Sequence, residues 1–85
     1  MRVWKYRIQR ADRFDIPLPE DAVILGADGG RGDGPEMWAL VDPDAPLVTR
    51  TFVLTGTGHD VPDDVSHVAT FRDGFFVWHL WEAVR

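Results

Sequence analysis

Apolar side chains return at every second position along most of this chain, and the three-to-four spacing of an amphipathic helix is nearly absent. A chain with that pattern must build strands. In MRVWKYRIQ, Arg2, Trp4, Tyr6 and Ile8 fall on one face and Val3, Lys5, Arg7 and Gln9 on the other, as in a strand with a dry and a wet side. Phe14, Ile16 and Leu18 alternate next, but Pro17 and Pro19 lack the ladder N–H, so this piece reads as an edge strand or an extended connector. Residues 22–27 form a compact strand. Residues 27–36, ADGGRGDGPE, form a loop, because four Gly and a Pro fall within it. MWALV, 37–41, is apolar on both faces and suits a central strand; the prolines of DPDAP end it. Residues 47–54 make a long strand. Residues 69–72 and 74–82 pair as a hairpin about Asp73-Gly74, the strongest turn signal in the chain. Between them, Pro62 with Asp63 and Asp64 suits the start of one helical turn near residues 62–68.

At 85 residues these strands belong to one domain, 1–85, with a thin core. Hydrophobic residues make up 45% of the chain and include four Trp and five Phe, enough to fold it. The expected fold is mainly β: a small antiparallel sheet of five or six strands, strongly curved or barrel-like, with at most one short helical turn. GFFVWHLWE places Phe76, Trp78 and Leu80 on one side and Phe75, Val77, His79 and Trp81 on the other. Both faces are apolar. A curled sheet or a second subunit must cover the second one, and oligomerisation is the expected solution.

Cys is absent, which removes disulfides and thiolate metal sites and favours a reducing, cytoplasmic setting. No apolar run is long enough to span a membrane, and the charged N-terminus does not read as a signal peptide. The net charge of −5 is unevenly spread. Residues 1–13 hold five basic side chains against Asp12 alone, while residues 14–85 hold four against thirteen acidic ones. Nucleic acid is a poor partner for such a balance. The simpler reading is that the first strand pairs its charges with acidic neighbours; a small anionic ligand, such as a nucleotide, is the alternative that the basic stripe raises, held by Arg2, Lys5, Arg7 and Arg50 beside Trp platforms.

TGTGHDVPDD, 55–64, carries the residues closest to chemistry. It has no Lys and no room for the long helix of a phosphate loop. His59, His67 and His79 lack zinc spacing, and the aspartates lack the calcium-loop pattern, so neither metal nor cofactor is expected. A hydrolase built on His59 needs Thr55, Thr57 or Ser66 as nucleophile and Asp60 or Asp63 to orient the ring. The simpler reading is a corner: Gly56 and Gly58 take backbone angles closed to other residues, and His59 bonds the backbone. Arg31-Gly32-Asp33 matches an adhesion tripeptide by coincidence. Among the Trp residues, Trp81 shares a face with Phe75 and His79, and these three are the candidates for an interface or ligand platform.

The order of the segments carries a resemblance. Trp4-Lys5-Tyr6, the proline connector, Trp38-Ala39-Leu40-Val41-Asp42-Pro43, Arg50-Thr51-Phe52, Gly56-Thr57-Gly58-His59 and the Val77-Trp78-His79-Leu80-Trp81-Glu82 ending lie in sequence. Together they resemble a family of small uncharacterised proteins carried by bacteriophages and by bacteria with prophages. The resemblance covers nearly the whole chain. It implies a β-rich fold, an intracellular location and a phage accessory context, and lends no activity or site residue. The function expected is non-catalytic binding: a protein that associates with itself and engages a host protein or a small ligand.

Overall fold

The computed structural model describes residues 1–84. Seven strands follow one another: β1 (Arg2–Arg7), β2 (Arg13–Pro19), β3 (Val23–Asp28), β4 (Glu36–Val41), β5 (Leu47–Gly56), β6 (Val65–Asp73) and β7 (Phe76–Ala83). They form two antiparallel sheets, one in the order β1-β4-β3 and the other β2-β5-β7-β6. The chain spans 39 × 31 × 16 Å, the thin dimension matching two layers about 10 Å apart.

Seven strands replace the five or six expected, because the proline segment is a true strand. β2 lies at the edge of its sheet and pairs with β5 from Arg13↔Val53 to Pro19↔Leu47. Glu20 donates to Pro46 O at 2.8 Å, so even-numbered residues face β5 and the nitrogens of Pro17 and Pro19 point away from it. The missing donors therefore lie on the free side and cost no ladder bond.

The sheets do not close into a barrel. β3 passes beside β6, but each of these edges carries a bulge, at Leu25 and at Val68, and no ladder joins them. Nor does a helical turn form near 62–68. β6 begins at Val65 and runs in register with β7, and Asp64 O accepts from Val84 N at 2.9 Å. Pairing with a strand satisfies that backbone more fully than a single helical turn could.

Alternation builds the core. Phe14, Ile16 and Leu18 of β2, Met37, Ala39 and Val41 of β4, Phe52 and Leu54 of β5, Phe71 and Leu80 all turn inward. Phe14 and Phe52 stack with ring centres 5.8 Å apart. Burying side chains such as Leu18, Met37, Phe52 and Leu80 contributes about 1.5–3 kcal/mol each. β4, apolar on both faces, is the central strand of its sheet. β1 is dry only at one end: Tyr6 is half-buried and Ile8 buried, whereas Arg2 and Trp4 reach solvent. Burial raises the Tyr6 hydroxyl above its ordinary pKa by desolvation.

Candidate functional site

Two connections meet at one end of the larger sheet. The first links β5 to β6. His59 N donates to Gly56 O at 3.2 Å, and Gly58 has φ +90°, the third position of a type II turn. The ring of His59 folds back, and its Nδ1 accepts from Gly56 N–H at 3.2 Å. A Cβ at Gly56 would lie 3.0 Å from that ring. Replacing Gly58 with Ala is expected to cost about 1 kcal/mol through its left-handed backbone, read as a lower melting temperature, while Gly58→Asn costs less because Asn tolerates that region.

The second connection is the β6–β7 hairpin. Its loop is Gly74-Phe75, one residue later than Asp73-Gly74, since Asp73 pairs with Phe76. Gly74 has φ +62° and Phe75 does not share the positive sign, the pattern of a type II′ turn with Gly first. The shift matters: Phe75 leaves the strand and stands fully exposed at the tip. Phe76 is 64% exposed and stacks on Trp78 at 5.8 Å. Phe75, Phe76, Val77 and Trp78 face Gly56, Thr57 and His59 across an open groove of about 480 Å³. A second groove, about 310 Å³, lies on the other side of His59 against Arg13, Val53, Asp60 and Pro62. His59 thus forms a wall between the two.

A polar chain leads from Thr57 across the outer face of the sheet. Thr57 Oγ1 and His79 Nε2 are 3.0 Å apart, His79 Nδ1 and Thr70 Oγ1 3.0 Å, and Thr70 Oγ1 and His67 Nε2 2.9 Å. His67 meets the edge of Trp81 at 5.2 Å, and Trp81 Nε1 donates to Thr55 Oγ1 at 3.0 Å. The β6 bulge makes this possible. His67 and Thr70 are three residues apart and would face opposite sides of a regular strand; the extra residue Val68 brings both to the outer face. His79 can donate through one ring nitrogen and accept through the other, and the Thr70 hydroxyl relays between the two histidines. No carboxylate takes part in this chain of bonds.

The residues singled out from the sequence therefore separate. Trp81 and His79 share the outer face with this chain, and Phe75 stands at the tip. His59 bonds the corner backbone, and the hydroxyl of Thr57, one of the candidate nucleophiles, goes to His79 instead. Lys5 and Arg7 lie in the other sheet: Lys5 pairs with Glu36 at 3.2 Å, and Arg7 donates to the Asp33 carbonyl. Arg50 points inward. Its Nε and Nη2 donate to Glu82 at 2.5 and 2.7 Å and its Nη1 to Ala22 O at 2.5 Å. The hydrogen bond to Glu82 raises its pKa further, against the cost of desolvation, so it stays charged. Sequence reasoning weighed Thr57 only as a nucleophile and His67 only as a metal ligand, placed Phe76 on a strand face without a role, and missed Thr70. Glycine as the first of two loop residues was the signal available for the hairpin register; the bulge left none. Among the described residues, no group of three or more His, Asp or Glu stands close enough to hold a metal ion, and no helix is long and apolar enough to cross a membrane.

Fold and site together define a small β domain of two packed sheets with an aromatic hairpin tip beside an open groove. The chain belongs to the family of a domain of unknown function, DUF7352, whose model matches residues 1–85. No curated protein and no solved structure matches it.

Proposed function

We propose that this is a non-catalytic binding protein that self-associates through the Phe75-Phe76 hairpin and engages a further protein or a small ligand with the adjoining face. The observation that supports it most directly is the fully exposed Phe75 beside an aromatic-lined groove of the same molecule. A two-fold axis lets each Phe75 enter the partner's groove, since knob and hole lie on one patch. Aromatic anchors in such pockets dominate association energies. Leaving two Phe side chains in water otherwise forgoes about 2 kcal/mol each. The resemblance to phage-borne proteins supports an accessory role in the cytoplasm of a bacterial host.

Light scattering at low micromolar concentration tests the reading. The wild-type chain is expected to run at about twice its 9.6 kDa, and Phe75→Ser as a folded monomer whose melting temperature no longer rises with protein concentration, because Phe75 packs on nothing within its own fold. A wild-type monomer at 9.6 kDa would sink self-association.

A further inference from the structure

We infer that the free edge of β1 is a docking site for an extended segment of another protein in which acidic and apolar residues alternate. Four strands end the two sheets: β1 and β3 in one, β2 and β6 in the other. Three of these edges are blunted. β2 turns Pro17 and Pro19 outward, and β3 and β6 each carry a bulge and lie side by side, with Gly29 pressed on the backbone of Arg72 and Asp73. β1 has none of these devices. It pairs with β4 in unbroken register from Arg2↔Val41 to Arg7↔Glu36, without Pro, Gly or bulge.

The direction of its free groups follows from its neighbour. Ile8 N donates to Pro35 O at 2.9 Å, so even-numbered residues face β4, and Val3, Lys5 and Arg7 turn N–H and C=O toward the open edge. Those three odd-numbered side chains share one face of the strand; Trp4 and Tyr6 share the other. An added strand therefore meets Val3, Lys5 and Arg7 on one face and Arg2 with the two aromatic rings on the other, and main-chain bonds supply the common affinity.

Charge selects the occupant. β1 carries Arg2, Lys5 and Arg7 and no carboxylate of its own; among the described residues Lys5 alone of the three has a carboxylate partner, the half-exposed pair with Glu36 of β4 at 3.2 Å, which an acidic strand would share. A second copy is disfavoured, because it sets three cations against three: antiparallel pairing of the outward residues about Lys5, for example, places the two Lys5 side chains opposite each other. An acidic strand reverses the sign of the same contacts. The surface is distinct from the Phe75 groove, which lies in the other sheet, and does not depend on self-association there.

The probe is an end-blocked hexapeptide of alternating Glu and Val, added to the isotope-labelled protein at low salt. Hydrogen exchange at the amides of Val3, Lys5 and Arg7 is expected to slow about ten-fold at saturation, and affinity to fall with added salt. Lys5→Pro removes one outward donor, as Pro17 does in β2; it is expected to fold and to weaken the peptide about ten-fold. Lys5→Glu keeps the donor and is expected to exchange preference toward an alternating Lys–Val peptide. The proposal fails if the Glu–Val peptide protects none of the three amides. It also fails if the Lys–Val peptide or oligothymidylate binds the wild-type edge equally well, or if both Lys5 variants bind the Glu–Val peptide as the wild type does. Should Lys5→Pro not fold, Lys5→Glu decides alone.

Discussion

A Gly29→Ala variant is expected to melt roughly 12–24 °C below the wild type, a loss of about 3 kcal/mol, at the upper end of what overpacking costs a domain of this size. A Cβ at this position lies 2.2 Å from the carbonyl oxygen of Arg72 and 2.8 Å from the Cα of Asp73. Both are backbone atoms, so no side chain can swing aside. To admit a methyl group, the end of β3 must lift off β6, and Asp73 is pinned there: it accepts from Arg10 Nε at 2.9 Å and from Trp78 Nε1 at 3.2 Å. Gly26, three residues earlier, is the control. Nothing lies within 4 Å of its Cβ position and its φ is not positive, so Gly26→Ala is expected to change stability by less than about 0.5 kcal/mol. Paired thermal melts measure both. Equal melting temperatures for the two variants would show that β3 and β6 do not touch as described.

Glu82→Gln is expected to cost about 2 kcal/mol in denaturant unfolding. Removing one member of a buried ion pair costs 3–5 kcal/mol; the figure is reduced because the Arg50 and Glu82 side chains remain about one-fifth exposed. The pair does more than join β5 to β7. Arg50 also donates to Ala22 O, at the crossing from the larger sheet to the smaller, where Asp21 holds φ 65° and Ala22 N donates back to Pro19 O at 3.1 Å. The guanidinium therefore fixes a turn whose backbone costs of order 1 kcal/mol to hold. Arg50→Met is expected to destabilise more than Glu82→Gln, since it also strips Ala22 O of its partner. The double variant Arg50→Met, Glu82→Gln is expected to lose less than the sum of the two single variants, because no charge is then left unpaired. Strict additivity would refute the coupling.

Much of the fold was legible because alternation is local. Phe14-Ile16-Leu18 and Met37-Ala39-Val41 mark inward faces directly, since a period of two needs no partner to be read. The edge position of β2 was also legible, from prolines two residues apart. The helical turn near 62–68 misled because Pro62, Asp63 and Asp64 do suit a helix start, yet the residues after them found a strand to pair with. Of the site, the histidine and aromatic positions were visible, but not their grouping. His67 joins Thr70 and His79 only through the bulge at Val68, and a bulge depends on cross-strand register, which one strand does not encode.

Arg50 shows the same division. As a lone cation on a strand it reads as a ligand-binding group; its role is fixed by Glu82, thirty-two residues later, and by a carbonyl on the crossing turn. The sequence by itself determined that this chain makes strands, which faces are dry, where glycine must break them and that two Phe follow a turn. Tertiary structure alone decided that the strands split into two sheets, that β1 keeps an open edge, that Phe75 stands outside and that Arg50 is spent within. Alternation and turn chemistry act over a few residues, whereas register, edge exposure and ion pairing are properties of segments that meet only when the chain is folded.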